Sequence, residues 1–68
     1  MYLLIICESK VVVVEGGVER VAMEEAAKIV IRGDVITCSD IVGRELRLED
    51  MDIDIIDLMK HEIVIRKR

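Results

Sequence analysis

The chain has 68 residues, with 14 acids against 10 bases and a formal net charge of −4. That length leaves no room for a second core, and the acidic balance argues against binding nucleic acid mainly through its phosphate backbone. With one Tyr, no Phe and no Trp the core must be aliphatic, and an apolar content of 53% exceeds what so small an interior can take up.

A domain of this size buries only about 60% of the surface that its unfolded chain exposes. Such domains usually add a disulfide, a metal or a partner subunit. The surplus of apolar residues points to a subunit interface. Residues 1–6 are apolar but lack a basic n-region, and they fall short of the roughly 20 residues that cross a bilayer. Two cysteines without an export signal suggest reduced thiols in the cytoplasm rather than a disulfide framework.

Residues 2–15 read as extended, either as one long strand or as two segments broken near Glu8-Ser9-Lys10. Gly16-Gly17 is a hairpin signal, because glycine accepts the positive φ of tight turns. Residues 18–23 form the return strand. Glu24-Glu25-Ala26-Ala27-Lys28 is helix-friendly but too short to repay nucleation, so a turn or corner is expected there.

A strand over 28–32 follows, then a Gly33-Asp34 turn and a strand over 35–41. The period of two puts Ile36 and Cys38 on one face and Thr37 and Ser39 on the other. Beyond a turn at Val42-Gly43-Arg44, Leu46 and Leu48 point inward from residues 45–49. Met51, Ile53 and Ile55 continue inward. A one-residue slip near Ile55-Ile56 then predicts a β-bulge, with Ile56 and Leu58 taking the inward role. Met59-Lys60-His61 is a turn, and residues 62–66 close the chain.

The expected fold is therefore all-β: one domain over residues 1–68, an antiparallel meander of six or seven short strands. So small a sheet is expected to curl into a barrel or to pair as a homodimer, either of which protects its edges.

Few constellations carry chemistry. His61 is the sole histidine and sits in a predicted turn, so no nucleophile–base pair is supported and no enzyme is expected. Asp52, Asp54 and Asp57 form an acidic stripe. Such carboxylates can hold a hard cation, but on a small sheet they mostly keep an edge soluble. Cys38 reads as a small core hydrophobe, and the Arg66-Lys67-Arg68 tail as a solvated end. Cys7 is either a metal ligand or a filler of core space.

The company of Cys7 bears on that choice. Cys7-Glu8-Ser9-Lys10 and four valines lead to Glu15-Gly16-Gly17, then to residues 21–29 and to Gly33-Asp34-Val35-Ile36-Thr37. With Ser39-Asp40-Ile41-Val42-Gly43-Arg44 and residues 55–63, the order and spacing resemble the CooT family over about residues 7–66. These are small archaeal and bacterial proteins, many of which open with Met-Cys-Glu-Ser. The resemblance implies a compact β homodimer. Its best-understood branch is a nickel-binding accessory protein, a metallochaperone linked to maturation of nickel carbon monoxide dehydrogenase. There the cysteine after the initiator methionine carries the metal, which corresponds to Cys7 here, with Glu8 beside it.

Nickel(II) favours planar sites of thiolate sulfur and nitrogen. Two Cys7 thiolates near a two-fold axis, completed by backbone nitrogens, would supply one. Family members place the cysteine second, next to a free amine, whereas Met1 to Ile6 precede Cys7 here. That apolar extension is expected to cover a sheet edge or a dimer interface. Family members also carry the label of predicted RNA-binding proteins. For that alternative the candidate contacts are Lys10, Lys28, Arg32, Arg44, Arg47, Arg66, Lys67 and Arg68, with no Phe or Trp for stacking on bases. The third reading is an interaction domain that binds no metal.

Overall fold

A computed structural model describes the backbone from Tyr2 to Arg68 and the side chains from Glu8 onward. Six strands form: β1 (Tyr2–Glu15), β2 (Val18–Arg32), β3 (Val35–Ser39), β4 (Glu45–Glu49), β5 (Met51–Asp57) and β6 (Glu62–Lys67). They make a single sheet in the order β4-β3-β2-β1-β6-β5. The Ile/Val-rich runs suit extended backbone, and among the described residues no helix forms. Among the described residues no helix is long and apolar enough to cross a membrane.

The all-β expectation stands, but the meander does not. β1 pairs with β6 in parallel, from Lys10↔Glu62 to Val14↔Arg66, while the other four ladders are antiparallel. The reason lies at a single residue. β4 and β5 occupy opposite edges of the sheet, yet Asp50 alone separates them in the chain. The sheet must curl until its two edges meet there. β6 then returns beside β1, in the one open position at the centre.

The expected barrel is not closed either. No ladder joins β4 to β5. Asp50 adopts φ 57°, a left-handed conformation that redirects the chain and prevents the two strands from running on as a pair. Its N–H donates to the Asp34 carbonyl at 3.2 Å, and its own carbonyl accepts from the Arg68 N–H at 3.2 Å. The seam is thus pinned at one end and open along its length.

β1 and β2 are long because they bend without leaving the ladder. Between the pairs Ile6↔Lys28 and Ser9↔Ala26, β1 carries one residue more than β2; between Ser9↔Ala26 and Val12↔Val21, β2 twice carries one more than β1. These bulges rotate the ribbon. Residues 24–28 are therefore strand interior rather than the turn expected from their composition. Corner and strand are combined: the extra residues supply the bend while the hydrogen-bonded pairing resumes on either side.

The core lies inside the curl. Val11 and Val13 of β1, Ile29 of β2, Ile36 and Cys38 of β3, Leu48 of β4, Met51 of β5 and Ile63 and Ile65 of β6 form one buried cluster. Each fully buried isoleucine contributes about 1.5–3 kcal/mol. Leu46 and Ile53 pack against this cluster while partly exposed. Val12 and Val14 lie on the other face yet are also buried, which explains an unbroken Val-Val-Val-Val run in the central strand.

The edges diverge from that order. The bulge on β5 lies between Ile53 and Ile55, earlier than expected. Ile56 and Leu58 do not turn inward; they are 44% and 78% exposed. β4 does not reach across the open seam to cover the end of β5, and Leu58 already belongs to the turn.

The basic tail is exposed as expected, but two of its three side chains are engaged by aspartates. Arg68 grips Asp52 through two bonds (Nε–Oδ2 2.9 Å and Nη2–Oδ1 2.8 Å) and reaches Asp34 at 2.6 Å through Nη1. Arg66 bonds Asp54 Oδ2 through Nε and Nη2 at 3.2 and 3.1 Å. Hydrogen bonds from Arg68 hold the Asp52 carboxyl below its usual 3.8; slight desolvation opposes them, and charge attraction adds to them.

Two outcomes are expected. Asp50→Gly keeps the corner, whereas Asp50→Val destabilises the fold by about 1–2 kcal/mol in urea unfolding, because a β-branched residue resists positive φ. The Asp52 carboxyl is depressed in the folded state, so the Arg68 grip is fully present above pH 3.8 and is lost as pH falls through the lower folded value. Arg68→Ala should therefore be less stable at neutral pH and lose less stability on acidification, as followed by circular dichroism. Superimposable acid profiles for variant and parent would show that the grip contributes nothing.

Candidate metal site and partner surface

Cys7 and Glu8 sit where the ladder is interrupted. The register passes from Ile6↔Lys28 to Ser9↔Ala26 and gives neither residue a partner on β2. On the other side, pairing with β6 begins only at Lys10. The backbone at Cys7-Glu8 is therefore the irregular part of an otherwise paired central strand. Bulges of this kind re-aim side chains and leave peptide groups out of the ladder. Glu8 is exposed; the Cys7 thiol lies outside the described side chains. The backbone of residues 2–6 pairs with Lys28–Arg32 of β2, so the extension covers what would otherwise be an open stretch of that strand.

Among the described residues, no group of three or more His, Cys, Asp and Glu side chains converges as a metal cluster. Cys38 is fully buried in the core between β2 and β4. His61 occupies the β5–β6 turn with φ 52°, and its carbonyl accepts from the Lys10 N–H at 2.8 Å. The acidic stripe is dispersed. Asp52 and Asp54 meet arginines, and Asp57 Oδ1 accepts from the N–H groups of Met59 and Lys60 at 3.1 and 2.9 Å.

The basic candidates are not gathered into one patch. Arg44, Arg66 and Arg68 each lie in an ion pair with an aspartate. Lys10 is half-buried on the central strand and Lys67 is exposed near the end of β6. Lys28, Arg32 and Arg47 line a separate shallow groove of about 650 Å³ on the outer side of β2, β3 and β4, where Arg47 pairs with Glu49 at 3.2 Å.

Two loops present apolar side chains to solvent, which the sequence pattern did not anticipate. In residues 40–44 the Asp40 carboxylate is the organising group. Oδ1 accepts from the Val42 and Arg44 N–H groups at 3.0 and 2.9 Å, and Oδ2 from Arg44 Nε at 2.7 Å. The Asp40 side chain is only 6% exposed. Desolvation raises its pKa, but the bonds from Arg44 and Val42 and the Arg44 charge outweigh it and hold the carboxyl below its usual value. Gly43, at φ 90°, closes the loop.

The effect is to hold Ile41 and Val42 outward, 76% and 72% exposed. Asp57 does the same for Leu58 and Met59, which are 78% and 93% exposed. The signal was present: an Asp whose carboxylate caps the N–H groups two and three or four residues on is a turn former. Beside the first loop, residues 21–25 of β2 and the start of β4 enclose an open groove of about 590 Å³.

A family profile described as "CO dehydrogenase accessory protein CooT" matches residues 6–66. Searches of curated proteins and of solved structures give no match. The profile begins one residue before Cys7 and takes in the whole of β2 to β5 and most of β1 and β6. The chain therefore belongs to the CooT family of CO dehydrogenase accessory proteins.

Proposed function

We propose that this chain is a cytoplasmic, non-catalytic accessory protein that carries Ni(II) as cargo for the maturation of a nickel enzyme such as carbon monoxide dehydrogenase. The observation that carries this reading is the family match, which starts beside Cys7 and runs through nearly the entire sheet. The Cys7 thiolate is the principal donor, and Glu8 is the adjacent hard donor. A thiolate is a soft, strong ligand, and nickel also accepts nitrogen donors. The ladder interruption at Cys7-Glu8 supports a role for neighbouring backbone groups in completing the coordination.

One chain offers too few donors, so a homodimer supplies the second thiolate. Among the described residues eight large apolar side chains remain exposed, among them Val18, Val21, Ile55 and Ile56, and this surface supports association. Both sheet edges are poorly suited to it. β4 is short and alternates Glu and Arg with Leu, and β5 is bulged and carries aspartates, which are devices that discourage edge-to-edge pairing. Association therefore runs through faces and loops.

Nickel titration of the reduced protein, read in the near-ultraviolet thiolate-to-metal region, tests the cargo. A charge-transfer band is expected in the parent and is lost in Cys7→Ser with the fold intact. Binding weakens as pH falls, because the thiol must ionise and its proton competes with the metal. Stoichiometric binding retained by Cys7→Ser would overturn the role of Cys7.

A further inference from the structure

The apolar groove and the β5–β6 loop have complementary chemistry. The groove is lined by Val21, Met23 and Leu46, with Ile41 and Val42 as its lip. Its rim carries the carboxylates of Glu24, Glu25 and Glu45, all exposed and, among the described residues, in no ion pair; Glu45 also borders the groove lined by Lys28, Arg32 and Arg47. The Asp40 charge is already met by Arg44. The groove therefore calls for aliphatic side chains flanked by positive charge.

This chain presents such a segment. Leu58 and Met59 project from the β5–β6 turn, and Lys60 and His61 follow directly. The turn is pre-set: the Asp57 carboxylate caps Met59 and Lys60, and the Lys10 N–H bonds the His61 carbonyl. A knob held in shape before contact loses little conformational freedom on docking. The lip is pre-set in the same way by Asp40.

Knob and groove also lie near one another on the molecule. Lys10, which holds the turn, follows Ser9, and Ser9 pairs with Ala26 beside Glu25. Across the outer face, Val21, Val12, Val64 and Ile55 lie in direct register on β2, β1, β6 and β5. Val21 lines the groove, and Ile55 stands three residues before Leu58. An apolar row thus connects the two features.

We propose that Leu58 and Met59 of one copy seat in the groove of a second copy, with Lys60 facing the Glu24, Glu25 and Glu45 rim. Reciprocal exchange about a two-fold axis makes this contact twice, with the valine row between, as a closed dimer requires. The inference deepens the dimer reading above by assigning its contact surfaces, and it needs no metal.

The test is sedimentation of the full chain without metal, over a concentration series. Met59→Asp and Lys60→Glu should each raise the dimer Kd about 10-fold or more. Glu24→Lys with Glu25→Lys should do the same, and combining that pair with Lys60→Glu should restore most of the affinity. Because these side chains are exposed, the variants should keep the parent circular dichroism. A dimer indifferent to Met59→Asp overturns the proposed seat and places association on another surface. A chain monomeric throughout the series overturns the second copy as occupant in favour of another protein bearing an apolar–basic segment. The nickel titration of Cys7→Ser is read separately, so failure of the seat and failure of the cargo are distinguishable.

Discussion

The fold depends on the single-residue corner at Asp50. Because β4 and β5 lie on opposite edges and only one residue joins them, the sheet cannot be flat. Curling brings Leu48 of β4 and Met51 of β5 into the same buried cluster as Val11 and Val13 of the central strand. Among the described residues one sheet thereby encloses a core with no helix covering it. The corner is fastened by backbone bonds to Asp34 and Arg68, and Arg68 adds side-chain bonds to Asp34 and Asp52. These bonds join the ends of three ladders at one place, which is the end where the seam is shut.

The open part of the seam has the opposite character. Toward the end of β5 the apolar pattern continues, but no strand covers it, so Ile55, Ile56 and Leu58 face outward. The same is true of the loop lip at Ile41 and Val42. In each loop a capping aspartate fixes the backbone so that aliphatic side chains stand in solvent. Hydrophobic side chains held in this way lower the entropy lost on association, and they account for an apolar fraction larger than the interior can hold.

Charge is distributed with equal economy. Arg44, Arg66 and Arg68 are engaged by aspartates, so the terminal Arg-Lys-Arg run is largely spent on holding the sheet. Such exposed pairs are individually weak. Their collective effect is on the surface field: carboxylates remain exposed on the groove rim, while positive charge next to apolar surface appears at Lys60. That arrangement favours an interface with defined register over diffuse attraction to a polyanion.

Much of this was legible in the residues themselves. The β-branched composition set the strand content, Gly16-Gly17 and Gly33-Asp34 marked two turns, and the alternation around Ile36, Cys38, Leu46 and Leu48 identified inward residues, because local φ/ψ preference and period-2 burial are properties of short stretches. The order of motifs from Cys7 to residue 63 was enough to indicate the family. What the sequence could not determine is long-range. Residues 24–28 look helical in isolation but are strand interior because β1 pairs with them through bulges. β6 lies parallel to β1 because the corner at Asp50 leaves that position open. Arg68 is a clasp rather than a tail because curling brings Asp34 and Asp52 to it. These outcomes depend on which distant strands meet, and only the tertiary structure decides that.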